Sequence, residues 1–217
     1  MKIKKINNNI LLIQLGGLES NIYLIKKKIL IDTGLGTHQK MLKEAFKKLD
    51  LDFSDIERII FTHAHYDHIN GRSLFKKAKT AIHKEDAKII ETGDSLKSCA
   101  FAFGKTLKPQ KIDLKLEDSD IIRIDNIKLD VIHTPGHTEG SICLHDKKEK
   151  IIFTGDTIFS DAIGRTDLPN SIPSEMNESL KKLKELDITV ILPGHGSIID
   201  KDAKKQINNM LHTYFPD

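Results

Sequence analysis

The segment 63–68, with the sequence HAHYDH, places four side chains that commonly bind metal ions within six residues. It directly follows a short apolar run that predicts a buried strand. Side chains two positions apart in an extended segment point to the same side. We therefore expect His63 and His65 to project together from the strand's end, with Asp67 and His68 following where the chain turns into a helix. This pattern favours a metal-binding strand-end loop over a chance cluster of solvated histidines.

Three further segments share one form: an apolar strand, a turn that contains glycine, and then a side chain suited to metal binding. They present His137 in HTPGH, Asp156 in FTGD and His195 in LPGH. Strand-end loops on a rigid sheet are common places for functional sites. The candidate metal ligands are therefore His63, His65, Asp67, His68, His137, Asp156 and His195.

The number of candidate ligands indicates how many ions they would hold. A tetrahedral zinc ion takes about four ligands, so these candidates are too many for one ion. Two ions roughly 3.5–4 Å apart that share a carboxylate would use them all and leave room for a water molecule. Imidazole and carboxylate ligands without cysteine suit Zn²⁺, with iron, manganese and cobalt as alternatives.

Hydrophobic periodicity predicts alternating groups of strands and helices. The predicted strands are 2–6, 10–15, 21–26, 28–32, 58–61, 79–83, 111–116, 120–125, 127–132, 140–145, 150–154 and 188–192. The predicted helices are 37–49, with Thr37 as its N-cap, 68–76, 84–92, 174–186 and 201–213. Each half contains strands, then a helix, then a strand, which suggests two sheets back to back with helices outside. We expect one domain over residues 1–217, without a separate C-terminal substrate domain.

The composition argues against nucleic-acid and membrane partners. The net charge is +3, and the 34 basic and 31 acidic residues are dispersed without a long block of one sign. The chain has no apolar run near the roughly 18 residues that span a bilayer, and its first apolar run is too short for a signal peptide. Cys99 and Cys143 lack CxxC spacing and are expected to be reduced thiols. These features predict a soluble cytoplasmic protein.

Some positions outside the candidate ligands carry weaker signals. Residues 93–110 follow neither periodicity, and for Phe101 and Phe103 core packing is favoured over a lid or a subunit contact. His133 is interpreted as a structural loop residue. We predict surface positions for the remaining histidines, which are His38, His83, His145 and His212.

Five motifs occur in an order that resembles the metallo-β-lactamase superfamily. They are IDTG at 31–34, HxHxDH at 63–68, TPGHT at 134–138, GDTIF at 155–159 and PGHG at 193–196. The resemblance implies an α/β fold, an αββα sandwich of two mixed sheets flanked by helices, with a metal site at the sandwich edge.

The resemblance also implies how the candidate ligands are shared between two divalent ions. It assigns one ion to His63, His65 and His137, and the other to Asp67, His68 and His195, with Asp156 bridging. It places Asp32 behind the ligands, where a carboxylate would orient a ligand ring, although Asp-Thr-Gly is also good turn chemistry.

This arrangement implies hydrolysis of an acyl bond in a thioester, lactone or related ester. A water molecule between two divalent cations loses a proton near neutral pH and becomes a nucleophile. The ions also polarise the carbonyl group under attack, and Asp67 is expected to help to orient the water. The sequence shows no convincing motif centred on a nucleophilic serine.

The segment 155–171 looks most like the short glyoxalase II-like hydrolases. In glyoxalase II the basic residue after the glycine of GRTDLP contacts glutathione, and Arg165 occupies that position. A guanidinium can bind a carboxylate in bidentate fashion, but a salt bridge to Asp167 is an equal alternative. We expect a small acyl-thiol or ester substrate, with the thiol carrier and a homodimer left open.

Three other functions stay open at the sequence level. Persulfide dioxygenases share GRTDLP and bind one iron through the equivalents of His63, His137 and Asp156, a two-histidine, one-carboxylate set. A lactonase is the third possibility after the thioesterase and the dioxygenase. A metal-stabilised binding module fits less well, because structural zinc usually has four ligands and no open position.

Overall fold

Two β-sheets lie face to face with helices on both outer surfaces, in a computed structural model that describes residues 1–216. In spatial order the first sheet contains β1 (Lys2–Lys5), β2 (Ile10–Gln14), β3 (Ile22–Ile25), β4 (Ile29–Ile31), β5 (Arg58–Ile60), β6 (Lys79–His83) and β7 (Leu114–Leu116). The second sheet contains β12 (Val190–Pro193), β11 (Ile151–Gly155), β10 (Ile142–Asp146), β9 (Ile127–His133) and β8 (Ile121–Ile124). The predicted αββα sandwich is confirmed.

The helices cover the outer faces of the two sheets. They are α1 (Gln39–Lys48), α2 (Tyr66–Ile69), α3 (Lys84–Thr92), α4 (Pro173–Glu185) and α5 (Ala203–Tyr214). Apolar side chains of α1 and α3 pack on the first sheet, and those of α4 and α5 pack on the second. No helix in residues 1–216 combines the length and apolar character needed to cross a membrane.

The core between the sheets follows from alternation along each strand. In β2, Leu12 points into the sandwich, whereas Ile13 points towards the helices on the outer face. Across the sandwich, the rings of Tyr23 and Phe153 meet edge to face with centroids 5.2 Å apart. β3, β4, β10 and β11 are buried along their whole length, because both faces of these strands are covered.

Two parallel strand pairs direct their carboxyl ends to one edge of the sandwich. β4 and β5 are parallel neighbours in the first sheet, and β11 and β12 are parallel neighbours in the second. The loops after these strands contain Asp32, the segment 62–68, Asp156 and His195. The carboxyl ends of these parallel strands therefore carry every candidate ligand except His137, which lies between the antiparallel strands β9 and β10.

Three local predictions differ from the structure. The strand predicted at 111–116 was placed with the second half, but β7 pairs with β6 in the first sheet, because periodicity does not encode a strand's partner. The helix predicted at 68–76 is the single turn α2 followed by a 3₁₀ segment, Asn70–Leu74. Thr37 does not cap α1; its hydroxyl donates to Glu19 Oε1 at 2.7 Å, and α1 begins at Gln39.

The surface prediction is wrong for two histidines. His83 is buried at the end of β6, where its ring stacks on His133 with centroids 4.0 Å apart. His145 is buried in β10, a strand covered on both faces. Between α3 and β7, Phe103 packs on Tyr66 as predicted for a core residue, but Phe101 is exposed.

Candidate metal centre

The structure brings all seven candidate ligands together at the sandwich edge. Two sets of three have ligand atoms within 4.8 Å of one another: the first ligand group is His63, His65 and His137, and the second ligand group is Asp67, His68 and His195. Asp156 is the seventh candidate and meets the same distance limit with His63 and His68. Residues far apart in the chain therefore form one cluster capable of binding metal ions.

The first ligand group is buried. Nδ1 of His65 lies 2.9 Å from Nε2 of His137. The ring centroids of His63 and His65 are 4.8 Å apart, so these two side chains project together from the end of β5 as predicted. His137 reaches them from the loop between β9 and β10, and all three rings are almost inaccessible to solvent.

The second ligand group opens towards solvent. Nε2 of His195 lies 3.1 Å from both Oδ2 of Asp67 and Nε2 of His68. His68 is fully buried, but the side chain of His195 is 30% exposed and that of Asp67 is 18% exposed. A small molecule can therefore approach the cluster from the side of His195 and Asp67.

Asp156 lies between the two ligand groups. Its Oδ1 is 3.3 Å from Nε2 of His68, and its Oδ2 is 3.5 Å from Nε2 of His137. Oδ2 is also 3.8 Å from Nε2 of His195. One carboxylate thus faces both groups, which is the geometry expected of a bridging ligand.

Hydrogen bonds on the far side of the rings set their tautomers. Nδ1 of His137 donates to the carbonyl oxygen of Arg165 at 2.7 Å, and Nδ1 of His68 donates to Oδ2 of Asp32 at 2.8 Å. A carbonyl or carboxylate oxygen can only accept, so in each neutral ring the Nε2 lone pair points into the cluster. In the neutral state that metal binding requires, these lone pairs are directed towards Asp156, whose carboxylate oxygens lie 3.3 Å from Nε2 of His68 and 3.5 Å from Nε2 of His137.

Unpartnered atoms within the cluster agree with a cation between the two groups. Nε2 of His63 is buried and has no hydrogen-bond partner, and buried Oδ1 of Asp156 makes no hydrogen bond although Nε2 of His68 lies 3.3 Å away. Leaving a buried polar atom unpaired is costly, and a divalent cation would satisfy both atoms. The donor set of five imidazoles and two carboxylates therefore fits metal ions of the kind that prefer nitrogen and oxygen ligands.

The two groups differ in charge in the absence of a bound cation. Burial lowers the pKa of His63 well below its ordinary value and that of His65 to about 3, so these rings are neutral. Burial also opposes charge on His68, but Asp156 and Asp32 outweigh it and raise the pKa of His68 well above its ordinary value. Burial would raise the pKa of Asp156, yet His68 and His195 hold it well below its usual range. His68 and Asp156 therefore form a buried ion pair.

Asp32 contacts the ligands from behind, as the resemblance implies. Its Oδ2 accepts from His68 and also from Oγ1 of Thr62 at 2.8 Å. Thr62 Oγ1 lies 3.1 Å from Nδ1 of His63. Asp32 is thus linked directly to the second ligand group and, through Thr62, to the first.

The side chain of Arg165 lies at the surface in a salt bridge. Its guanidinium binds Asp167 through two hydrogen bonds of 2.9 Å, and its side chain is 67% exposed. The salt bridge weighed as the alternative is therefore present. The carbonyl group of Arg165 contacts His137, a contact that no sequence motif signals because every residue has a carbonyl group.

Sequence reasoning also missed the residues that fix the His195 loop. Asn21 donates from Nδ2 to the carbonyl oxygen of Pro193 at 2.9 Å and from its backbone N–H to that of Gly194 at 2.6 Å. Tyr23 donates its hydroxyl to the same Pro193 oxygen at 2.7 Å. The first sheet therefore holds the loop that leaves the second sheet.

The sandwich and the cluster of imidazole and carboxylate groups at its edge define the chain as a metallo-hydrolase. The chain belongs to the Metallo-beta-lactamase superfamily, whose family model matches residues 15–195. That range begins just after β2 and ends at the last candidate ligand, His195.

Three relatives illustrate the range of this family. The chain is 35% identical to "Probable metallo-hydrolase MJ0888" of Methanocaldococcus jannaschii, covering 86% of this chain and 92% of the relative. It is 30% identical to "Hydroxyacylglutathione hydrolase GloC" of Haemophilus influenzae, covering 94% and 99%. It is 29% identical to "Acyl-coenzyme A thioesterase MBLAC2" of Homo sapiens, covering 82% and 74%.

Solved structures share the same fold. A metallo-beta-lactamase family protein of Thermus thermophilus, TTHA1429, superposes with a TM-score of 0.80 at 22% identity, covering 94% of this chain and 79% of the other. TTHA1623, solved in a di-iron-bound form, superposes with a TM-score of 0.71 at 29% identity, covering 86% and 92%.

Proposed function

We propose that this protein hydrolyses the acyl bond of a small thioester in a reaction that depends on two divalent metal ions. The observation that carries the proposal is the position of Asp156 between the two ligand groups, 3.3 Å from His68 and 3.5 Å from His137. A single structural ion would not need a second ligand group on the other side of a shared carboxylate. The names of two relatives, a hydroxyacylglutathione hydrolase and an acyl-coenzyme A thioesterase, denote enzymes that release an acyl group from a thiol.

Zn²⁺ suits the donor set, with iron and manganese as alternatives. When bound, two such ions make a water molecule more acidic and polarise the acyl carbonyl group. His63, His65 and His137 would hold one ion, Asp67, His68 and His195 the other, and Asp156 both. The di-iron form of TTHA1623 supports iron as an alternative within this fold.

The protein's own groups then have distinct tasks. Asp67 lies at the open side of the cluster, where its Oδ2 is 3.1 Å from Nε2 of His195. Burial raises the pKa of Asp67, but His68 and the contact with His195 outweigh burial and lower it. We infer that the ionised Asp67 orients the attacking water, while Asp32 keeps the His68 ring directed into the cluster.

The test combines metal analysis with four substrates. Anaerobically purified protein is analysed for metal and assayed with S-lactoylglutathione, an acyl-coenzyme A, a homoserine lactone and glutathione persulfide. We expect about two ions per chain and turnover of a thioester. One iron per chain with sulfite released from the persulfide would replace the proposal with a dioxygenase, and turnover of the lactone alone would replace it with a lactonase.

A further inference from the structure

Asp86 is a fully buried carboxylate whose hydrogen bonds go to residues other than the seven candidate ligands. It lies in the first turn of α3. Its Oδ2 accepts from the backbone N–H of Ala64 at 2.7 Å and from the hydroxyl of Thr138 at 2.9 Å. Its Oδ1 accepts from the backbone N–H of Gly140 at 2.8 Å and from the amide of Asn170 at 3.2 Å.

The partners of Asp86 adjoin the first ligand group. Ala64 separates His63 from His65, and Thr138 directly follows His137. One carboxylate therefore connects the backbone of the loop after β5 with that of the loop between β9 and β10, which carry all three rings of the first ligand group.

The fit around Asp86 is close on the side of the His137 loop. A Cβ atom at Gly140 would lie 2.6 Å from Oδ1 of Asp86, a distance that side chains do not tolerate. Asn170 belongs to a third segment of the chain at this site. Its carbonyl oxygen accepts from the Glu139 N–H at 3.0 Å, which ties this segment to the His137 loop. Its neighbour Ser171 donates its hydroxyl to the carbonyl oxygen of His137 at 2.8 Å.

A buried carboxylate is costly unless hydrogen bonds compensate it. Burial raises the pKa of Asp86, while the hydrogen bonds from Thr138 and from the backbone of Ala64 and Gly140 oppose that rise. An apolar residue would avoid this cost if α3 needed only to pack on the sheet. All four donors around Asp86 lie on loops of the site or on the segment that supports them.

We propose that Asp86 is a positioning residue that sets the spacing of His63, His65 and His137 and thereby the metal affinity of the first ligand group. The inference rests on the proposed function in that the first ligand group must bind a metal ion. The second ligand group has other supports, since Asp32 holds His68 and Asn21 holds the His195 loop. Loss of Asp86 should therefore affect the two groups unequally.

Asp86→Asn is the direct test. A carboxylate accepts at both oxygens, whereas the asparagine amide presents an NH₂ group either to Ala64 N–H or to Gly140 N–H. One of these two backbone donors then loses its acceptor and meets another donor. We expect the first ligand group to lose affinity by about tenfold or more, the range known for residues that orient metal ligands.

The experiment titrates metal-free protein with Co²⁺, following visible absorption and competition with a chelator. Wild-type protein should bind two ions with well-ordered spectra. Asp86→Asn should bind one ion as the wild type does and the other about tenfold more weakly, with a changed spectrum for the weakened ion. These readouts do not depend on any substrate.

Two further variants separate positioning from general stability. Phe46→Leu is the control for stability loss, because Phe46 is buried among Phe53 and Phe75, with ring centroids 4.9 and 5.6 Å away. It should lower the unfolding temperature and leave the titration unchanged.

Asn170→Gly removes one of the four hydrogen bonds to Asp86 and suits the positive φ of 82° at that position. This variant should lower the affinity for the same ion by a smaller factor, and it serves as the test if Asp86→Asn does not fold.

Three results would overturn the proposal. If Asp86→Asn and Phe46→Leu weaken metal binding equally for equal loss of stability, Asp86 is only part of the folded framework. If wild type and Asp86→Asn bind two ions alike, the positioning role fails while the proposed function stands. If the wild type binds no ion, the proposed function and the positioning role fail together.

Discussion

The two ligand groups are built on the same edge of the sandwich but differ in burial and in charge. The first ligand group consists of three buried rings whose pKa values burial lowers, so its nitrogens are ready to bind a cation. The second ligand group has the more exposed His195 and the charged His68, whose proton must leave before a metal ion binds there. We therefore expect the first group to hold a metal ion more firmly and the second group to face the proposed substrate.

Asp156→Ala should have the largest effect because Asp156 faces both groups. We expect both ions to be lost or weakened and turnover to fall by on the order of 10²–10³-fold, the range for loss of one preorganised electrostatic group. Metal content and thioester turnover of the purified variant measure this. Asp200→Ala is the control, since Asp200 is an exposed carboxylate paired with Lys4 at 3.6 Å. Wild-type turnover with Asp156→Ala would exclude a shared carboxylate.

His63→Ala and His195→Ala together test whether the two groups are separable. His63→Ala removes a buried ligand of the first group and should abolish its ion, with turnover reduced by about 10²-fold or more. His195→Ala removes a partly exposed ligand of the second group and should leave the first ion in place, with affinity for the second ion reduced about tenfold to a hundredfold. Metal stoichiometry after dialysis distinguishes the two losses. Loss of the same ion in both variants would show that the two ligand groups do not bind separate ions.

The stability of the metal-free protein should depend on pH in opposite directions for the two groups. Folded-state pKa values of the first ligand group lie below the ordinary 6.5, so these rings affect stability only below that pH. The pKa of His68 lies above it, because Asp156 and Asp32 outweigh the burial that opposes its charge. The stabilisation from the ion pair is therefore complete below about pH 6.5 and is lost as the pH rises through the folded-state pKa of His68.

Urea unfolding of metal-free protein between about pH 6.5 and about pH 8.5 checks this sign. We expect the free energy of unfolding to fall by up to about 1.4 kcal/mol per pH unit in that range. His68→Gln should flatten the profile, because glutamine does not titrate. A free energy of unfolding that rises with pH for the wild type would show that His68 is not charged in the folded protein.

The clustering of the candidate ligands could be predicted from sequence because each follows an apolar strand within a few residues, and strand ends lie at a sheet edge. The groups that hold the candidate ligands in position were harder to predict from sequence. Asp86 looks like an ordinary acidic residue in the first turn of a helix, a place that the helix dipole favours anyway. The carbonyl group of Arg165 carries no side-chain signature, and the burial of His83 depends on β7 joining the first sheet.

Arg165→Ala should have the smallest effect, and it tests whether the Arg165 guanidinium recognises a charged substrate. The guanidinium is exposed and already binds Asp167. Exchanging that partner for a substrate carboxylate therefore gains little binding free energy. Surface ion pairs contribute about 0–1 kcal/mol, so KM should rise by no more than about fivefold. Turnover should stay unchanged, because the contact with His137 is made by the backbone carbonyl group.

Asp167→Ala frees the guanidinium and should lower KM for an anionic substrate, which a comparison of carboxylated and uncharged thioesters measures. A large fall in kcat with Arg165→Ala would instead place its side chain at the reacting acyl group.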